Sequence, residues 1–211
     1  MDYQICLLKV ESFVRELYRE KQAEQLPYHN LFHTKKVVAY CSEIAAYYEL
    51  NSEQWFALHV AAWFHDTGHL TGGFKNHEER SVDTMMNFFE QQDWNINNLT
   101  LDIAACIMAT RYPPTPTSFL GEILCDADTY HFGTGAFCQT DPLVKCEVEN
   151  AIGKKIEDWY HTTITLLERH TFFTGYCQEK LTEGKKTNIE YLKAKALSSN
   201  NADLKETHAA S

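Results

Sequence analysis

Regular strand patterns are almost absent from this sequence, and this constrains its fold more than any other feature. No run alternates valine, isoleucine or threonine with polar residues over strand length, whereas apolar residues recur at intervals of three and four. Residues 55–64 are apolar on every side of a helical projection, which is typical of a helix buried at the centre of a protein. We therefore expect an all-α fold, a single helical bundle packed around this segment.

The apolar spacing also predicts where the helices begin and end. They are expected over residues 3–23, 28–49, 51–66, 76–91, 98–110 and 118–132, followed by one or two helices within 142–180. Asn51 or Ser52 is expected to cap the third helix. From residue 184 onward the chain is polar, and we expect a domain over residues 1–184 followed by a polar, partly disordered C-terminal tail over 185–211.

Charge and cysteine usage exclude several classes of protein. The 211 residues carry a net charge of -10, which disfavours binding to a nucleic-acid duplex, although a metal ion could still attract a small phosphate. The seven cysteines contain no Cys-x-x-Cys pair, so neither a disulfide framework nor a thiolate zinc site is indicated. No signal peptide or bilayer-length apolar segment is visible, and we expect a soluble, cytoplasmic protein without membrane contact.

Two histidine clusters lie at helix ends. His29 and His33 are four residues apart at the start of the second helix and share one face, although a hydrogen-bonded core histidine is the simpler interpretation of His33 alone. His65-Asp66-Thr67-Gly68-His69 follows the most apolar helix, where a charged pair is costly unless it is paired or binds a cation. Histidines at positions 65 and 69 share a face, as in an i, i+4 metal-ligand pair. A hydrogen bond between Asp and His at the helix end is the alternative.

A third cluster, Asp126-Ala127-Asp128, lies near the end of the sixth helix. With about 100° per residue, Asp128 falls roughly 80° from the centre of the apolar face and Asp126 roughly 120° from it on the other side. We therefore expect Asp128 to be the buried ligand, and Asp126 to be a polar flank or a supporting residue, with a solvated carboxylate as the alternative for either. Together the three clusters supply two nitrogens and two oxygens, a set that suits Mn, Fe, Mg or Zn.

These residues resemble the H…HD…D pattern of the HD-domain superfamily. Residues 28–34 resemble the Y-H-N-x-x-H motif of class I cyclic-nucleotide phosphodiesterases, and residues 65–69 resemble their H-D-x-x-H motif, while Asn76-His77 is similar to a later Asn-His. Residues 65–81 and 123–133 look more like the small bacterial predicted HD phosphohydrolases. The resemblance covers about residues 25–135 and does not include the base-binding pocket of the phosphodiesterases.

The resemblance implies a single HD-type bundle with a metal site between its central helices. It implies one or two divalent ions (Mn, Mg, Fe, Zn, Co or Ni) bound by His33, His65, Asp66 and Asp128. It implies catalytic roles for His29, Asp66 and His69, and a site role for His77. Lys75 and Arg111 are further candidates for contact with a phosphate or a second metal, with a solvated side chain as the alternative for both.

The expected function is that of an enzyme, a metal-dependent phosphohydrolase or phosphodiesterase. Its substrate would be a nucleotide or a similar small phosphate, hydrolysed by a metal-activated water. Two other functions stay open: an HD-type di-iron oxygenase, and a non-catalytic nucleotide-sensing HD domain. The oligomeric state also stays open, with a homo-oligomer among the alternatives.

Overall fold

A computed structural model describes residues 2–21 and 26–209, without the side chains of residue 97 and of residues 199–209. The helices are α1 (Tyr3–Glu20), α2 (Leu31–Tyr47), α3 (Ser52–Phe64), α4 (His69–Gly72), α5 (His77–Glu90), α6 (Asn97–Ala109), α7 (Phe119–Asp128), α8 (Phe137–Ile152), α9 (Trp159–Arg169) and α10 (Gly175–Ala209). A 3-10 turn, Tyr130–Gly133, follows α7. The described residues contain no strand, so the expected all-α fold is confirmed.

The chain forms two compact units, residues 1–130 and residues 131–211. The first unit contains α1–α7 and the second contains α8–α10. In the described part of the chain, no helix is both long enough and apolar enough to cross a bilayer.

Helix α3 is the centre of the first unit. It contacts α1, α2, α5, α6 and α7, and every residue from Phe56 to Phe64 is buried. This confirms the central helix that the sequence predicts, because a helix apolar on all sides is stable only when neighbours cover all sides. Full burial of one large apolar side chain contributes about 1.5–3 kcal/mol.

Polar side chains fix the starts of α2 and α3. The Asn51 side chain accepts a hydrogen bond from the Gln54 amide, and the Gln54 side chain accepts one from the Asn51 amide, which confirms the expected cap. Asn30 caps α2 by accepting from the amides of Phe32 and His33. Helix α2 therefore begins three residues later than predicted, and His33 lies in its first turn.

The second unit has its own apolar core. Its buried members come from all three helices of the unit: Phe137, Ile164, Leu167, Ile189 and Leu192. Because Ile189 and Leu192 are in this core, α10 continues across the boundary that the sequence predicts after residue 184. Helix α10 ends at Ala209 and therefore includes most of residues 185–211, where the sequence predicts a polar, partly disordered tail. The division into a catalytic domain and a tail stays a prediction.

Candidate metal centre

His33 enters the site from the first turn of α2. Its imidazole is 6% exposed, and its Nε2 lies 3.0 Å from the Asp128 Oδ1 atom in a hydrogen bond. Tyr28 packs against the ring with a centroid distance of 4.6 Å. The helix cap and this aromatic contact hold the ring with Nε2 directed at the carboxylates of other helices.

His65 and Asp66 follow the end of α3 and bring two more ligand atoms. His65 is fully buried, and its Nδ1 lies 2.8 Å from the Ala62 carbonyl oxygen. Since a carbonyl only accepts hydrogen bonds, Nδ1 carries a proton and Nε2 is the ring nitrogen directed into the site. Asp66 is 3% exposed. The site therefore contains an imidazole nitrogen and a carboxylate side by side, and burial is outweighed by the nearby Asp66 and Asp128, which raise the pKa of His65 well above its ordinary value.

Asp128, the last residue of α7, completes the group. Its side chain is 27% exposed, whereas Asp126 is completely buried. Of the two roles expected for Asp126, the polar flank was therefore wrong, whereas the role of a supporting residue stays a prediction. Helix α7 packs against α2, α3 and α6, so more than one of its faces is covered. Burial alone does not identify the ligand, but the approach of Asp128 to His33 and His65 does.

The four ligand atoms form a closed ring of short contacts. The distances are 3.0 Å for His33 Nε2–Asp128 Oδ1, 3.2 Å for His33 Nε2–Asp66 Oδ2, 3.1 Å for His65 Nε2–Asp66 Oδ2 and 3.6 Å for His65 Nε2–Asp128 Oδ1. Neighbouring ligands of one divalent ion with bonds of about 2.0–2.2 Å lie about 3 Å apart. The spacing therefore fits a single first-row ion.

Missing hydrogen bonds support the same fit. His65 Nε2 and Asp66 Oδ2 are buried without a hydrogen-bond partner, although they lie 3.1 Å apart. Unsatisfied buried polar atoms are costly, and two that face a common point are typical of metal ligands. The donor set is too rich in oxygen for a structural zinc site and suits a catalytic divalent ion.

A second group shares Asp66 with the first. Asp66, His69 and His77 each offer a ligand atom within 4.8 Å of the others. The His77 Nδ1 atom donates to the Phe74 carbonyl oxygen at 2.9 Å, and its Nε2 atom faces Asp66 Oδ1 at 3.6 Å. Neither ring nitrogen of the buried His69 has a hydrogen-bond partner. This second group could hold another ion, with Asp66 between the two.

The histidines of the second group are stacked. The His69 ring lies between His29, with a centroid distance of 4.3 Å, and His77, with a centroid distance of 3.9 Å. Burial, reinforced by the neighbouring His29, lowers the pKa of His69 to about 2. His69 is therefore a neutral base at ordinary pH, with a nitrogen lone pair available to a ligand.

The carboxylates have the opposite electrostatics. Burial opposes the ionisation of Asp66, yet the adjacent His65 and His29 hold the pKa of its carboxyl well below the usual value. The pKa of Asp128 is lowered for a similar reason: its burial is outweighed by hydrogen bonds and charge interactions with His33 and His65. Both groups are thus carboxylates, the form that binds a cation.

The other predicted site residues lie at the edge of these groups. Arg111 forms ion pairs with Glu79 and, at 3.7 Å, with Glu78. Lys75 is exposed in the loop before α5. Sequence reasoning missed Glu78, which is 5% exposed and whose Oε2 lies 3.5 Å from His77 Nδ1. The signal for it was its position directly after a candidate ligand.

Comparison with known proteins identifies the fold of this chain. No protein-family model and no curated protein matches this sequence. Two solved structures are similar to it. One is a predicted HD superfamily hydrolase from an uncultured Thermotogales bacterium, with a TM-score of 0.59 and 20% sequence identity; the match covers 94% of this chain and 99% of that one. The other is Bacillus subtilis YpgQ in complex with ADP, with a TM-score of 0.62 and 14% sequence identity; the match covers 92% of this chain and 95% of that one.

The chain has an HD-domain fold. This confirms the resemblance that the H…HD…D motif suggested, at the level of the fold. In this HD fold the four residues of the motif, His33, His65, Asp66 and Asp128, are the same four whose ligand atoms converge.

Proposed function

We propose that this protein is a metal-dependent phosphohydrolase or phosphodiesterase. The observation that carries the proposal is the convergence of two imidazoles and two carboxylates at distances that suit one divalent ion. Three of the four groups are buried, and two of the ligand atoms have no hydrogen-bond partner. The similarity to a predicted HD superfamily hydrolase supports a hydrolase over a passive binding domain.

His33, His65, Asp66 and Asp128 would hold the first ion, and Asp66, His69 and His77 a second. A divalent ion bound there supplies a polarised phosphoryl oxygen and a water that ionises near neutral pH. Mn, Mg, Fe, Zn, Co and Ni all suit mixed nitrogen and oxygen ligands to some degree. The protein's own contribution is to keep both carboxylates ionised and the Nε2 atoms of His65 and His77 directed inward.

His29 is the residue proposed to move a proton. It is partly exposed, and its ring stacks on His69 beside the second group. A protonated imidazole at this position would donate to the departing oxygen of the substrate, a step typically worth about 10²–10⁴-fold in rate. Phe74 meets the His29 ring edge to face at 5.7 Å and restricts its orientation.

The proposed substrate is a nucleotide or a similar small phosphate. The structure of YpgQ contains ADP, and the present chain has the same fold. Lys75 and Arg111 are the proposed contacts for phosphate oxygens beyond the reacting one. Arg111 would exchange its ion pairs with Glu78 and Glu79 for the substrate, since a guanidinium fork binds phosphate in the same bidentate way as carboxylate.

Metal content and hydrolysis test this proposal together. Purified protein, Asp66→Ala and the control Asp158→Asn, whose side chain is 76% exposed and remote in sequence, would be analysed by plasma mass spectrometry. Each would then be assayed with each metal against bis-(p-nitrophenyl) phosphate and a panel of cyclic and linear nucleotides. We expect metal-dependent turnover that Asp66→Ala loses and Asp158→Asn keeps. Turnover in none of these conditions, or equal turnover in Asp66→Ala, contradicts the proposal.

A di-iron oxygenase is the second candidate, because the Asp66–His69–His77 group offers ligands for a second ion. Two bound irons, oxygen consumption and no turnover of any phosphoester would favour it. A protein that binds no metal and turns over nothing would instead support a non-catalytic nucleotide-sensing domain.

A further inference from the structure

The segment between the two histidines of the second group is held by one arginine. His69 begins α4 and His77 begins α5, and the loop between these helices includes Gly73 and Asn76, which both have positive φ angles. Glycine and asparagine are the residues that adopt positive φ angles most readily, and the shape of this loop has further support from a neighbouring side chain.

The support comes from the guanidinium of Arg80, one turn into α5. Its Nε donates to the Gly68 carbonyl oxygen at 3.0 Å, its Nη1 to that of Lys75 at 2.5 Å, and its Nη2 to that of Gly73. No carboxylate of the described residues pairs with it. All of its observed hydrogen bonds therefore go to backbone carbonyls, one before α4 and two within the loop.

Gly72 provides the space for this arrangement. A Cβ atom at this position would lie 2.8 Å from both Cζ and Nε of Arg80, closer than real contacts allow. The atoms that this Cβ would meet belong to the end of the flexible Arg80 side chain and not to the backbone. An alanine here would therefore displace the guanidinium and leave the helix itself unstrained.

The same turn of α5 also holds the segment that follows Asp66. The Gly68 amide donates to Ser81 Oγ at 2.9 Å, and Ser81 Oγ donates to the His65 carbonyl oxygen at 2.7 Å. The amide and the carbonyl of Gly68 are thus both bound by neighbouring side chains of α5. Ser81 connects α5 to the first ligand group, whereas Arg80 connects it to the loop between His69 and His77.

We propose that Arg80 is the positioning residue for the second ligand group: by binding the carbonyl before α4 and two carbonyls of the loop after it, Arg80 holds His69 and His77 beside Asp66. The positioning role of Arg80 does not depend on the proposed function; only the use of the second ligand group in catalysis rests on it. Arg80 contacts no ligand atom and is not itself catalytic. A lysine cannot replace it, because one ammonium cannot span three carbonyls that a planar guanidinium reaches together.

A double-mutant cycle tests the proposal. The full-length variants are Arg80→Ala, Gly72→Ala, the double variant and Arg80→Lys, with Gly135→Ala as the control, because a Cβ there meets nothing within 4 Å. Circular dichroism and thermal unfolding would establish that each variant is folded. Co²⁺ alone would then be titrated by calorimetry, and the histidine ring signals of the metal-free proteins would be recorded by NMR.

We expect Arg80→Ala to bind the first Co²⁺ as wild type does and the second about 10–100-fold more weakly, the range observed when residues that orient metal ligands are removed. Gly72→Ala should have a similar effect, Arg80→Lys should not restore affinity, and the double variant should be no worse than Arg80→Ala. The proposal is overturned if the effects of Arg80→Ala and Gly72→Ala on affinity for the second Co²⁺ add in the double variant. It is also overturned if Arg80→Ala binds the second Co²⁺ as tightly as wild type does.

The NMR comparison decides the outcome if wild type binds a single Co²⁺. The His69 and His77 ring signals should then shift in Arg80→Ala and Gly72→Ala and stay unchanged in Gly135→Ala; unchanged signals in the first two refute the role of Arg80. Failure of the proposed function would look different, since wild type would hydrolyse no phosphoester while the ring signals still responded to Arg80.

Discussion

Metal binding should stabilise the folded protein through the four-residue group, and loss of Asp128 should remove most of that effect. A ligand present at about 100 times its dissociation constant stabilises a protein by about 2.7 kcal/mol when it binds only the folded state. For a chain of about this length, each kcal/mol raises Tm by about 2–4 °C, so wild type should gain about 5–11 °C.

Asp128→Ala removes one of four ligand atoms, the oxygen that lies 3.0 Å from His33 Nε2 and 3.6 Å from His65 Nε2. Removal of residues that merely orient metal ligands costs about 10–100-fold in affinity, so a lost ligand should cost at least about 100-fold. At the same metal concentration the remaining stabilisation is then about 0.4 kcal/mol or less, a shift of about 1–2 °C.

Differential scanning fluorimetry with and without Mn²⁺, Co²⁺ or Zn²⁺ measures both shifts, after dialysis against a chelator to provide the metal-free reference. Asp158→Asn, exposed and outside the group, should behave as wild type. The reasoning is refuted if Asp128→Ala retains the wild-type shift, because the stabilising metal would then bind elsewhere. It is also refuted if none of these ions changes the Tm of wild type.

Three further outcomes follow from particular contacts. Gly68→Ala should lower Tm and weaken metal binding, because the new Cβ atom would lie 1.9 Å from the His77 carbonyl oxygen and the backbone would have to move. Fluorimetry measures the change in Tm, and calorimetry measures the change in metal affinity. Phe56→Ala should cost about 3–5 kcal/mol in urea unfolding, since Phe56 is fully buried in α3. Burial and the nearby Lys185 lower the pKa of His170 to about 4. Between these two pKa values the unfolded chain therefore binds a proton that the folded chain does not. As pH falls from 6 to 4, the free energy of unfolding of wild type should decrease by up to about 1 kcal/mol per pH unit, and that of His170→Gln should decrease less. Urea titrations at each pH measure both.

The parts of the fold that sequence reasoning predicted well depend on local patterns. The apolar circumference of α3 and the capping box of Asn51 involve residues within one or two turns of each other, so the chain itself displays them. The continuation of α10 also had a local signal, since Asn188, Ile189, Leu192 and Ala196 are buried at helical spacing. The polar composition around these residues obscured it.

The parts that sequence reasoning missed depend on which helices meet. The burial of Asp126 cannot be calculated from one apolar face, because α7 is covered by three helices. The role of Arg80 is equally invisible, since its partners are backbone carbonyls and any residue provides a carbonyl. The ligand residues were proposed from three separate sequence clusters, and the resemblance of their motif to a family then grouped them into one site. Spacing alone does not reveal that residues 33, 65 and 128 meet.

The division of the site into two ligand groups also suggests where its specificity for a reaction would arise. The first group has short contacts between all of its helices and includes Asp66 and His65, fixed by the end of the central helix α3. The second group depends on a loop whose shape is held by side chains of α5. A change in that loop would alter the second ion or the substrate contacts while it left the core and the first ion intact. The second ligand group is therefore where the two proposed functions would diverge, and iron content measured together with oxygen consumption and phosphoester turnover separates them.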